Sequence, residues 1–208
     1  QLQSSDTIVL DKTGTITLGK PSVQGIKVYT NISTNDFISV AASLESGSLH
    51  PLGHAIVEYA KDKNSKLQQP ENFTNISGRG IQAKLNGHVY LAGNKRLLEE
   101  KNIRINQNVL SNLDAYASLG QTPLIFVEDQ NVIGLISVAD TIRSTSKVAL
   151  EQFKQKNMHV VMLTGDNQKT ANAIGKSLSV DEVISDVLPQ DKESVIRKLQ
   201  EQGKKVMM

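Results

Sequence analysis

Cysteine and tryptophan are absent from the 208 residues of this sequence, and only 4% of the residues are aromatic. Without cysteine the chain forms neither disulfides nor thiolate metal sites, which suits a reducing compartment. No apolar run approaches the roughly 20 residues that cross a bilayer, and residues 1–10 lack the basic start and long apolar stretch of a signal peptide. We therefore expect a soluble chain.

A large excess of charge of one sign is also lacking, because 23 basic and 21 acidic residues give a net charge of only +2. These charges are interspersed, and the sequence has no long basic block of the kind that binds nucleic acid. We therefore expect no nucleic-acid partner. The length exceeds the usual size of a single domain, so the chain has room for one large core or two modest ones.

Residues 7–10 form an apolar run that predicts a short buried strand, and the carboxylate of Asp11 follows it directly. Gly14 allows the chain to fold back, so that backbone N–H groups near residues 12–15 can face a phosphate. An aspartate in this position is a candidate nucleophile, because aspartyl phosphate is the covalent intermediate of ATPases. The simpler alternative is an aspartate that caps a turn.

Strands and helices alternate in the C-terminal part of the sequence, residues 120–208. The apolar patterns predict strands at 123–128, 131–138, 159–163 and 204–208, and helices at 143–156, 168–177 and 190–202. Such alternation is typical of a parallel sheet, so this part is expected to form, with residues 1–21, a three-layer α/β domain. Ligands bind beyond the carboxyl ends of parallel strands, and Asp11 and Thr164 each follow a predicted strand. We expect them to meet at one edge of the sheet.

The middle of the sequence, residues 22–119, has a different pattern. It predicts strands at 23–28, 73–77, 81–85 and 88–92, and helices at 35–45, 51–63, 94–101 and 106–118. Asn86 and Gly87 form a two-residue hairpin signal between neighbouring strands. We therefore expect an inserted α+β domain with an antiparallel sheet, which interrupts the α/β domain.

The pentapeptide DKTGT at residues 11–15 is the phosphorylation signature of the P-type ATPases, and the chain resembles these ion pumps of the haloacid dehalogenase superfamily. The resemblance implies a phosphorylation domain with a Rossmann-like parallel sheet and an inserted nucleotide-binding domain. It also implies ATP and Mg²⁺ as cofactors and Asp11 as the residue that is phosphorylated. The relatives continue beyond the last predicted strand with a GDGxND segment that supplies Mg²⁺ ligands. We therefore expect a phosphorylation domain truncated at its C-terminal side.

The motif TGDN at residues 164–167 resembles a second element of the same family. The hydroxyl of Thr164 and the N–H groups of a helix start can hold phosphate oxygens, so Thr164 is the expected phosphate ligand. The resemblance places Asp166 near the hinge and the nucleotide, whereas the simpler alternative is an ordinary N-terminal helix cap. Asp140, in a stretch that leads back into the phosphorylation domain, is expected to be structural.

Lys192 resembles the lysine that neutralises the phosphate throughout the superfamily, although a lysine on a helix is usually just solvated. Asp11 and a backbone carbonyl near Thr13 are the expected Mg²⁺ ligands. Soluble phosphatases of the superfamily carry a second aspartate at the position of Thr13, where it acts as general acid and base. A hydroxyl is a poor substitute near neutral pH, so the phosphoenzyme is expected to persist, which suits a pump.

The insert resembles that of the heavy-metal-transporting P-type ATPases, a branch that includes copper pumps. His50 and Pro51 match the His-Pro motif of that branch, although Leu49 stands where many relatives have glutamate. The residues that the resemblance assigns to nucleotide binding are Glu45, His50, Gly78, Gly80, Gly93 and Asn94, with Asp166 from the other domain. Imidazole can stack on adenine, glycines allow close approach of a ring, and a carboxylate can accept from the exocyclic amine. A metal-binding pair of His50 and His54 is the alternative.

The resemblance implies ATP hydrolysis through an aspartyl phosphate that drives ion transport in a full-length parent. Copper is the family-level expectation, with zinc, cadmium, cobalt or silver left open. The expected partners are ATP and the membrane, actuator and C-terminal parts of the same pump, and the expected location is the cytoplasmic face of a membrane. The isolated chain is expected to have little or no turnover. A soluble haloacid-dehalogenase-type phosphatase and a non-catalytic nucleotide-binding module are the alternatives.

Overall fold

The computed structural model describes residues 7–207 of the chain. Their strands are, in chain order, β1 (Thr7–Asp11), β2 (Thr17–Val28), β3 (Glu71–Ile76), β4 (Gly80–Leu85), β5 (His88–Gly93), β6 (Thr122–Glu128), β7 (Asn131–Ile142), β8 (His159–Leu163), β9 (Glu182–Ile184) and β10 (Lys205–Met207). Their helices are α1 (Thr34–Glu45), α2 (Pro51–Asp62), α3 (Lys95–Glu100), α4 (Gln107–Ser118), α5 (Ser144–Gln155), α6 (Gln168–Leu178) and α7 (Lys192–Glu201). None of these described helices has both the length and the apolar character needed to cross a bilayer.

The chain forms two compact units. The first unit contains the described residues up to Lys20, the short segment Ala117–Gly120 and the described residues from Asp140 onward. The second unit consists of Pro21–Tyr116 and Gln121–Ala139. The second unit is therefore an insertion in the sequence of the first.

A four-stranded parallel sheet with the order β10-β1-β8-β9 forms the centre of the first unit. Val9 of β1 and Val161 of β8 are directly paired and fully buried. One face of the sheet packs against Leu150 of α5 and Leu178 of α6, and the other face packs against Leu199 of α7. Helices thus cover both faces of a parallel sheet, which confirms the predicted three-layer α/β class.

A six-stranded sheet with the order β2-β7-β6-β5-β4-β3 forms the centre of the second unit, and β3 to β7 pair antiparallel in sequence order. Successive residues of β6 face opposite sides of this sheet. Phe126 packs edge to face on Phe37 of α1, with ring centroids 5.5 Å apart, whereas Ile125 lies in a core with Leu97 and Val109. The antiparallel sheet predicted for the insert is confirmed.

The strands β6 and β7 belong to the sheet of the second unit. In the pairing of β5 with β6, Tyr90 lies opposite Glu128 and Gly93 lies opposite Ile125. From the sequence, both strands were predicted to lie in the first domain, from residue 120 onward, and the compact units differ from that boundary. The reason is that an apolar strand pattern indicates burial but not which sheet the strand joins.

Two smaller differences concern strands at the edges of the sheets. β2 begins at Thr17, whereas the strand predicted from the sequence began at residue 23. Pro21 lacks an N–H donor but is tolerated because β2 is the edge strand of its sheet. β9 has only 3 residues and was not predicted, since so short a run carries no periodic signal.

Candidate functional site

Asp11 is the last residue of β1 and lies opposite Leu163, the last residue of β8, in the parallel pairing. Thr164 follows Leu163 directly, so the two sequence motifs lie at the same edge of the sheet. This confirms the prediction that Asp11 and Thr164 meet there. The edge is the one formed by the carboxyl ends of the strands, where α/β sheets bind their ligands.

Lys192 binds both oxygens of the Asp11 carboxylate, with Nζ 3.0 Å from Oδ1 and 2.9 Å from Oδ2. Lys192 is the first residue of α7 and follows a short helical turn, Pro189–Asp191. The side chains of Lys192 and Asp11 are 26% and 13% exposed, so the pair is partly shielded from water. Lys192 is therefore not a solvated surface lysine, and the contact places one cation on the candidate nucleophile.

The turn after Asp11 has the geometry of a type II β-turn. Thr13 has φ −75° and ψ 121°, and Gly14 has φ 79° and ψ −17°, close to the central values of this turn type. The positive φ at its second central position favours glycine. The Thr13 N–H donates to Oδ1 of Asp11 at 3.3 Å. Gly14 thus folds the chain back beside Asp11, as predicted.

Arg143, the residue before α5, holds this turn in place. Its Nε donates to the carbonyl of Thr17 at 2.9 Å, and its Nη2 donates to the carbonyl of Gly14 at 3.0 Å. Its backbone N–H donates to the carbonyl of Ile16 at 2.9 Å. No role was predicted for Arg143 from the sequence. Two signals were available. Arg143 lies three residues after Asp140, and its guanidinium has five N–H donors that can bind backbone carbonyls.

Asp140 binds the start of β2. Its Oδ2 accepts from the hydroxyl of Thr17 at 2.5 Å and from the N–H of Gly19 at 3.0 Å. Its Oδ1 accepts from the N–H of Lys20 at 3.0 Å. The Thr17 hydroxyl also accepts from the N–H of Gly14 at 3.3 Å, which links Asp140 to the turn. These contacts with backbone are those of a structural residue, the role expected for Asp140.

Lys12 and Asp166 form a partly buried ion pair, with Nζ 2.6 Å from Oδ2. The same carboxylate oxygen accepts from the hydroxyl of Thr164 at 2.9 Å, and that hydroxyl accepts from the N–H of Asp166 at 3.1 Å. Thr164 is only 1% exposed. No role was predicted for Lys12 from the sequence, although its place beside Asp11, in a turn that follows a buried strand, was an available signal.

The N-terminal cap of α6 is Asn167 and not Asp166. Oδ1 of Asn167 accepts from the N–H of Thr170 at 3.0 Å, which satisfies one of the free donors of the first helical turn. The simpler alternative for Asp166, an ordinary helix cap, is therefore wrong. The carboxylate of Asp166 binds Lys12 and the hydroxyl of Thr164 instead.

In the second unit, His50 is the N-terminal cap of α2, with Pro51 at the first helical position. Its Nδ1 accepts from the N–H of Leu52 at 3.2 Å. His50 is an exposed residue, but neighbouring protein atoms shield part of its ring from water. This desolvation disfavours the charged form and lowers the pKa of His50. A neutral ring that accepts at Nδ1 carries its proton on Nε2, so the free nitrogen of His50 is a hydrogen-bond donor.

Glu45, at the end of α1, is only 4% exposed. A Cβ at Gly53 would lie 2.4 Å from Oε2 of Glu45, so a larger residue at position 53 would displace this carboxyl group. Burial raises the pKa of Glu45 to about 7, and a hydrogen bond from the Ser48 side chain opposes the shift. The Ser48 hydroxyl accepts from the N–H of His50 at 3.2 Å. These contacts bring the predicted residues Glu45 and His50 together through Ser48.

The remaining predicted residues of the second unit lie where the turn between β3 and β4 meets the end of β5. A Cβ at Gly80 would lie 2.1 Å from the carbonyl oxygen of Ala92, and a Cβ at Gly93 would lie 2.2 Å from that of Arg79. Both glycines are therefore required by close packing of backbone on backbone.

Asn94 joins this turn to α3. Its Nδ2 donates to the carbonyl of Gly78 at 3.0 Å, and its Oδ1 accepts from the N–H of Leu97 at 3.1 Å as the cap of α3. Its own N–H donates to the carbonyl of Arg79 at 2.9 Å. Gly78, Gly80, Gly93 and Asn94 thus form one hydrogen-bonded, closely packed group.

A sequence profile described as a haloacid dehalogenase-like hydrolase matches residues 5–208 of the chain. A copper-exporting P-type ATPase of Staphylococcus epidermidis is 43% identical over 203 residues, which is 98% of this chain and 25% of that protein. A copper-exporting P-type ATPase of Staphylococcus aureus is 41% identical over 203 residues, which again is 98% of this chain and 25% of that protein. The chain therefore spans about a quarter of the length of these curated relatives.

Two solved structures share the fold. The catalytic domain of the CPx-ATPase CopB-B, studied for its conformational changes upon nucleotide binding, matches with a TM-score of 0.68 and 28% identity over 98% of this chain and 69% of that one. A zinc-transporting PIB-type ATPase in its E2.Pi state matches with a TM-score of 0.62 and 31% identity, over 97% of this chain and 32% of that one.

Proposed function

Because the chain belongs to the haloacid dehalogenase-like hydrolases and is homologous to copper-exporting P-type ATPases, we propose that it forms the ATP-binding and phosphorylation region of a heavy-metal-translocating P-type ATPase. ATP hydrolysis would drive ion transport in the full-length parent. Copper is the proposed ion, supported by relatives at 41% and 43% identity that are copper exporters. The location proposed for the region is the cytoplasmic face of the membrane in which the pump lies.

The observation that carries this proposal is the contact of Lys192 with both oxygens of Asp11 at the carboxyl edge of the parallel sheet. In the proposed reaction, a carboxylate oxygen of Asp11 attacks the γ-phosphorus of ATP, the bond to the bridging β-γ oxygen breaks, and ADP leaves. Negative charge then lies on the transferred phosphoryl oxygens and on the leaving ADP. Lys192 offsets that charge from its position on the nucleophile.

Thr164 and Asp166 are the other proposed residues of the phosphorylation site. The hydroxyl of Thr164 binds Asp166 in this structure, and it is the proposed ligand for a phosphate oxygen when phosphate is present. Asp166 pairs with Lys12, so that the TGDN motif is tied to the turn that carries Asp11. Both motifs are thereby kept at one edge of the sheet, as phosphoryl transfer to Asp11 requires.

The oxygen donors near Asp11 fit Mg²⁺. This ion prefers hard oxygen ligands, and the carboxylate of Asp11 and the carbonyl of Thr13 are of that kind. The side chain of Arg143 binds the carbonyls of Gly14 and Thr17. Neither of these two acceptors is the Thr13 carbonyl, so the hydrogen bonds of Arg143 do not compete with a metal ion for that oxygen. When bound, the ion supplies positive charge to the phosphate oxygens.

Nucleotide binding is proposed for the second unit, through Glu45, His50 and the group around the Gly78–Gly80 turn. The exposed ring of His50 presents a flat face for stacking on adenine and an Nε2–H donor. Glu45 is held close to His50 through Ser48. The site therefore combines a flat ring with a few convergent polar groups, which is typical of small-molecule sites.

A persistent phosphoenzyme distinguishes this proposal from a soluble phosphatase. Thr13 lies exposed in the turn, two residues after Asp11, and its hydroxyl is a poor general acid or base near neutral pH. Hydrolysis of an acyl phosphate on Asp11 would therefore be slow without a further catalytic group. Such persistence suits a pump, in which phosphorylation and dephosphorylation are separate steps.

The proposal is tested with γ-labelled ATP and a full-length pump that contains this chain. Wild-type protein should acquire label that hydroxylamine removes, because an acyl phosphate is labile to it whereas phosphoserine and phosphothreonine are not. Asp11→Asn should acquire no label, because an amide is too poor a nucleophile, and it should still bind ATP through the second unit. Asp62→Asn, at an exposed position, is the matched control and should be labelled normally. Hydroxylamine-resistant label, or normal labelling of Asp11→Asn, would place the nucleophile elsewhere.

A further inference from the structure

The side-chain amide of Asn94 is engaged by the protein at both of its ends. A backbone donor, the N–H of Leu97, faces one end at 3.1 Å, and a backbone acceptor, the carbonyl of Gly78, faces the other at 3.0 Å. These two partners determine the orientation of the amide, because only Oδ1 can accept and only Nδ2 can donate. Asn94 therefore bridges the cap of α3 and the first residue of the Gly78–Gly80 turn.

The turn has a second, weaker connection to α3. Nε of Arg79 lies 2.7 Å from Oε1 of Glu100, but the two side chains are 43% and 49% exposed. Exposed ion pairs contribute little because water and salt screen them. The contacts of Asn94, which include its N–H bond to the carbonyl of Arg79 at 2.9 Å, are therefore the main restraint that α3 places on the turn.

Close packing at Gly80 and Gly93 leaves the backbone at one end of the turn little freedom to move. Gly80 and Gly93 pack backbone on backbone, with no space for a Cβ at either position. Backbone packing therefore holds the Gly80 end of the turn, whereas the Nδ2 donor of Asn94 binds the carbonyl at the Gly78 end. Loss of the Nδ2 bond to Gly78 is thus expected to shift the exposed part of the turn, where Gly78 lies.

We propose that Asn94 acts on nucleotide binding as a positioning residue, which sets the conformation of the Gly78–Gly80 turn and does not itself contact the nucleotide. This inference rests on the proposed function of the second unit. In this proposal the exposed turn contacts the nucleotide, and Asn94 holds the turn in the conformation that binds it. Asn94 thereby differs from His50, which caps its helix through Nδ1 alone and does not use Nε2 for that role.

The test is the substitution Asn94→Asp in the 208-residue chain. Aspartate retains an oxygen that caps α3 well, so the helix start is preserved. It replaces the Nδ2 donor by an oxygen that repels the carbonyl of Gly78. Asn94→Ser is the second variant, because serine also caps well and simply lacks the donor. Asn106→Asp is the matched control, since Asn106 caps α4 through the N–H of Val109 at 2.9 Å.

Two measurements are needed for each variant: ATP affinity by calorimetry, and the backbone amide NMR signals of Gly78 and Gly80 without nucleotide. Both Asn94 variants should weaken ATP binding about two- to tenfold, the range expected for one lost hydrogen bond, and should move the signals of the turn in the ligand-free protein. Asn106→Asp should change neither quantity.

Three results would count against the inference in different ways. Unchanged ATP affinity in both variants would show that the turn does not need Asn94. Weaker affinity with unmoved ligand-free signals would show that Asn94 touches the nucleotide directly, which also overturns a positioning role. If the wild-type chain bound no ATP, the proposed function itself would fail, and this inference would fall with it.

Discussion

The ammonium group of Lys12 lies 2.6 Å from Oδ2 of Asp166, although the two residues are 154 positions apart in the chain. The neighbouring residue, Asp11, pairs instead with Lys192, which is 181 positions away. Two consecutive residues, the last of β1 and the one after it, thus bind two different, distant parts of the chain. One pair ties the DKTGT turn to the TGDN motif, and the other places a cation on the candidate nucleophile.

The first prediction concerns the pair of Lys12 and Asp166. Their side chains are 11% and 14% exposed, so removal of one partner leaves a poorly solvated charge without a counterion. We expect Asp166→Asn to lower the free energy of unfolding by about 3 kcal/mol, the size typical of a broken buried pair. Urea unfolding, followed by signals from the first unit, measures the effect.

The exposed pair of Lys61 and Glu58 provides the control. Its side chains are 60% and 67% exposed, and exposed pairs contribute only about 0–1 kcal/mol. Glu58→Gln should therefore leave unfolding almost unchanged. Equal effects of Asp166→Asn and Glu58→Gln would mean that the contact of Lys12 with Asp166 does not stabilise the first unit.

The second prediction separates two reasons why a position requires glycine, namely a positive φ and a lack of space for a Cβ. Gly80 has φ 149°, and its Cβ would lie 2.1 Å from the carbonyl oxygen of Ala92. Gly87 has φ 83°, and its Cβ would meet nothing within 4 Å. Gly87→Ala should cost only the backbone strain, about 1 kcal/mol. Gly80→Ala should cost about 3 kcal/mol or more, because backbone must move to relieve the clash.

Thermal unfolding of the two glycine variants provides the comparison. Both glycines lie in the antiparallel sheet region of the second unit, so the same transition reports on both. A Gly80→Ala protein as stable as Gly87→Ala would contradict the close backbone packing that the structure places between the β3-β4 turn and the end of β5.

The third prediction is that the ring of His50 binds ATP. His50→Asn retains a good helix cap for α2 but removes the imidazole, so binding is tested without loss of the helix start. ATP affinity should fall by roughly 1–3 kcal/mol, equivalent to one stacking contact and a hydrogen bond. Isothermal titration calorimetry measures it directly.

His54 is the matched control for His50, because it is an exposed histidine on the same helix. His54→Asn should bind ATP as the wild type does. If both variants lost affinity equally, or if neither did, the His50 ring would not belong to the nucleotide site.

The fourth prediction concerns stability and pH at Glu45. Burial raises the pKa of Glu45 to about 7 in the folded protein, whereas its ordinary value is 4.5. As pH rises, the unfolded chain therefore ionises before the folded one, and the second unit loses stability between about pH 4.5 and about pH 7. Glu45→Gln removes this penalty. It should raise the free energy of unfolding by about 2–3 kcal/mol above pH 7 and change it little near pH 4.

Urea unfolding of wild type and Glu45→Gln across this pH range provides the measurement. Glu71→Gln is the control, because it makes the same change at an exposed glutamate at the start of β3. A stability gain from Glu45→Gln that is the same at all pH values would show that Glu45 does not change its ionisation in this range.

Much of the candidate site could be predicted from short sequence patterns. An apolar run followed by DKTGT placed Asp11 after a strand, and the glycine in the motif predicted the reversal that the structure has at Gly14. His50 and Pro51 were predicted at the start of a helix, which begins at Pro51. These features are local, because strand ends, turns and caps depend on a few neighbouring residues.

Other features depend on which distant segments pack together. The sequence did not indicate that β6 and β7 join β5 in the second unit, because their apolar patterns fit either sheet. Nor did it indicate that Arg143 binds the carbonyls of Gly14 and Thr17, or that Lys12 pairs with Asp166. A lysine can form an ion pair with any carboxylate. Which carboxylate it pairs with therefore depends on which one the tertiary structure brings close to it.

The sequence by itself determined the strand, turn and cap that present Asp11 and His50, and it indicated Lys192 from the order of the motifs. Only the tertiary structure decided that Lys192 lies on both oxygens of Asp11 and that the amide of Asn94 is engaged by the carbonyl of Gly78. The physical reason is that local backbone conformation follows from neighbouring residues. A contact between residues 16 or 181 positions apart exists only once the strands and helices that carry them have packed.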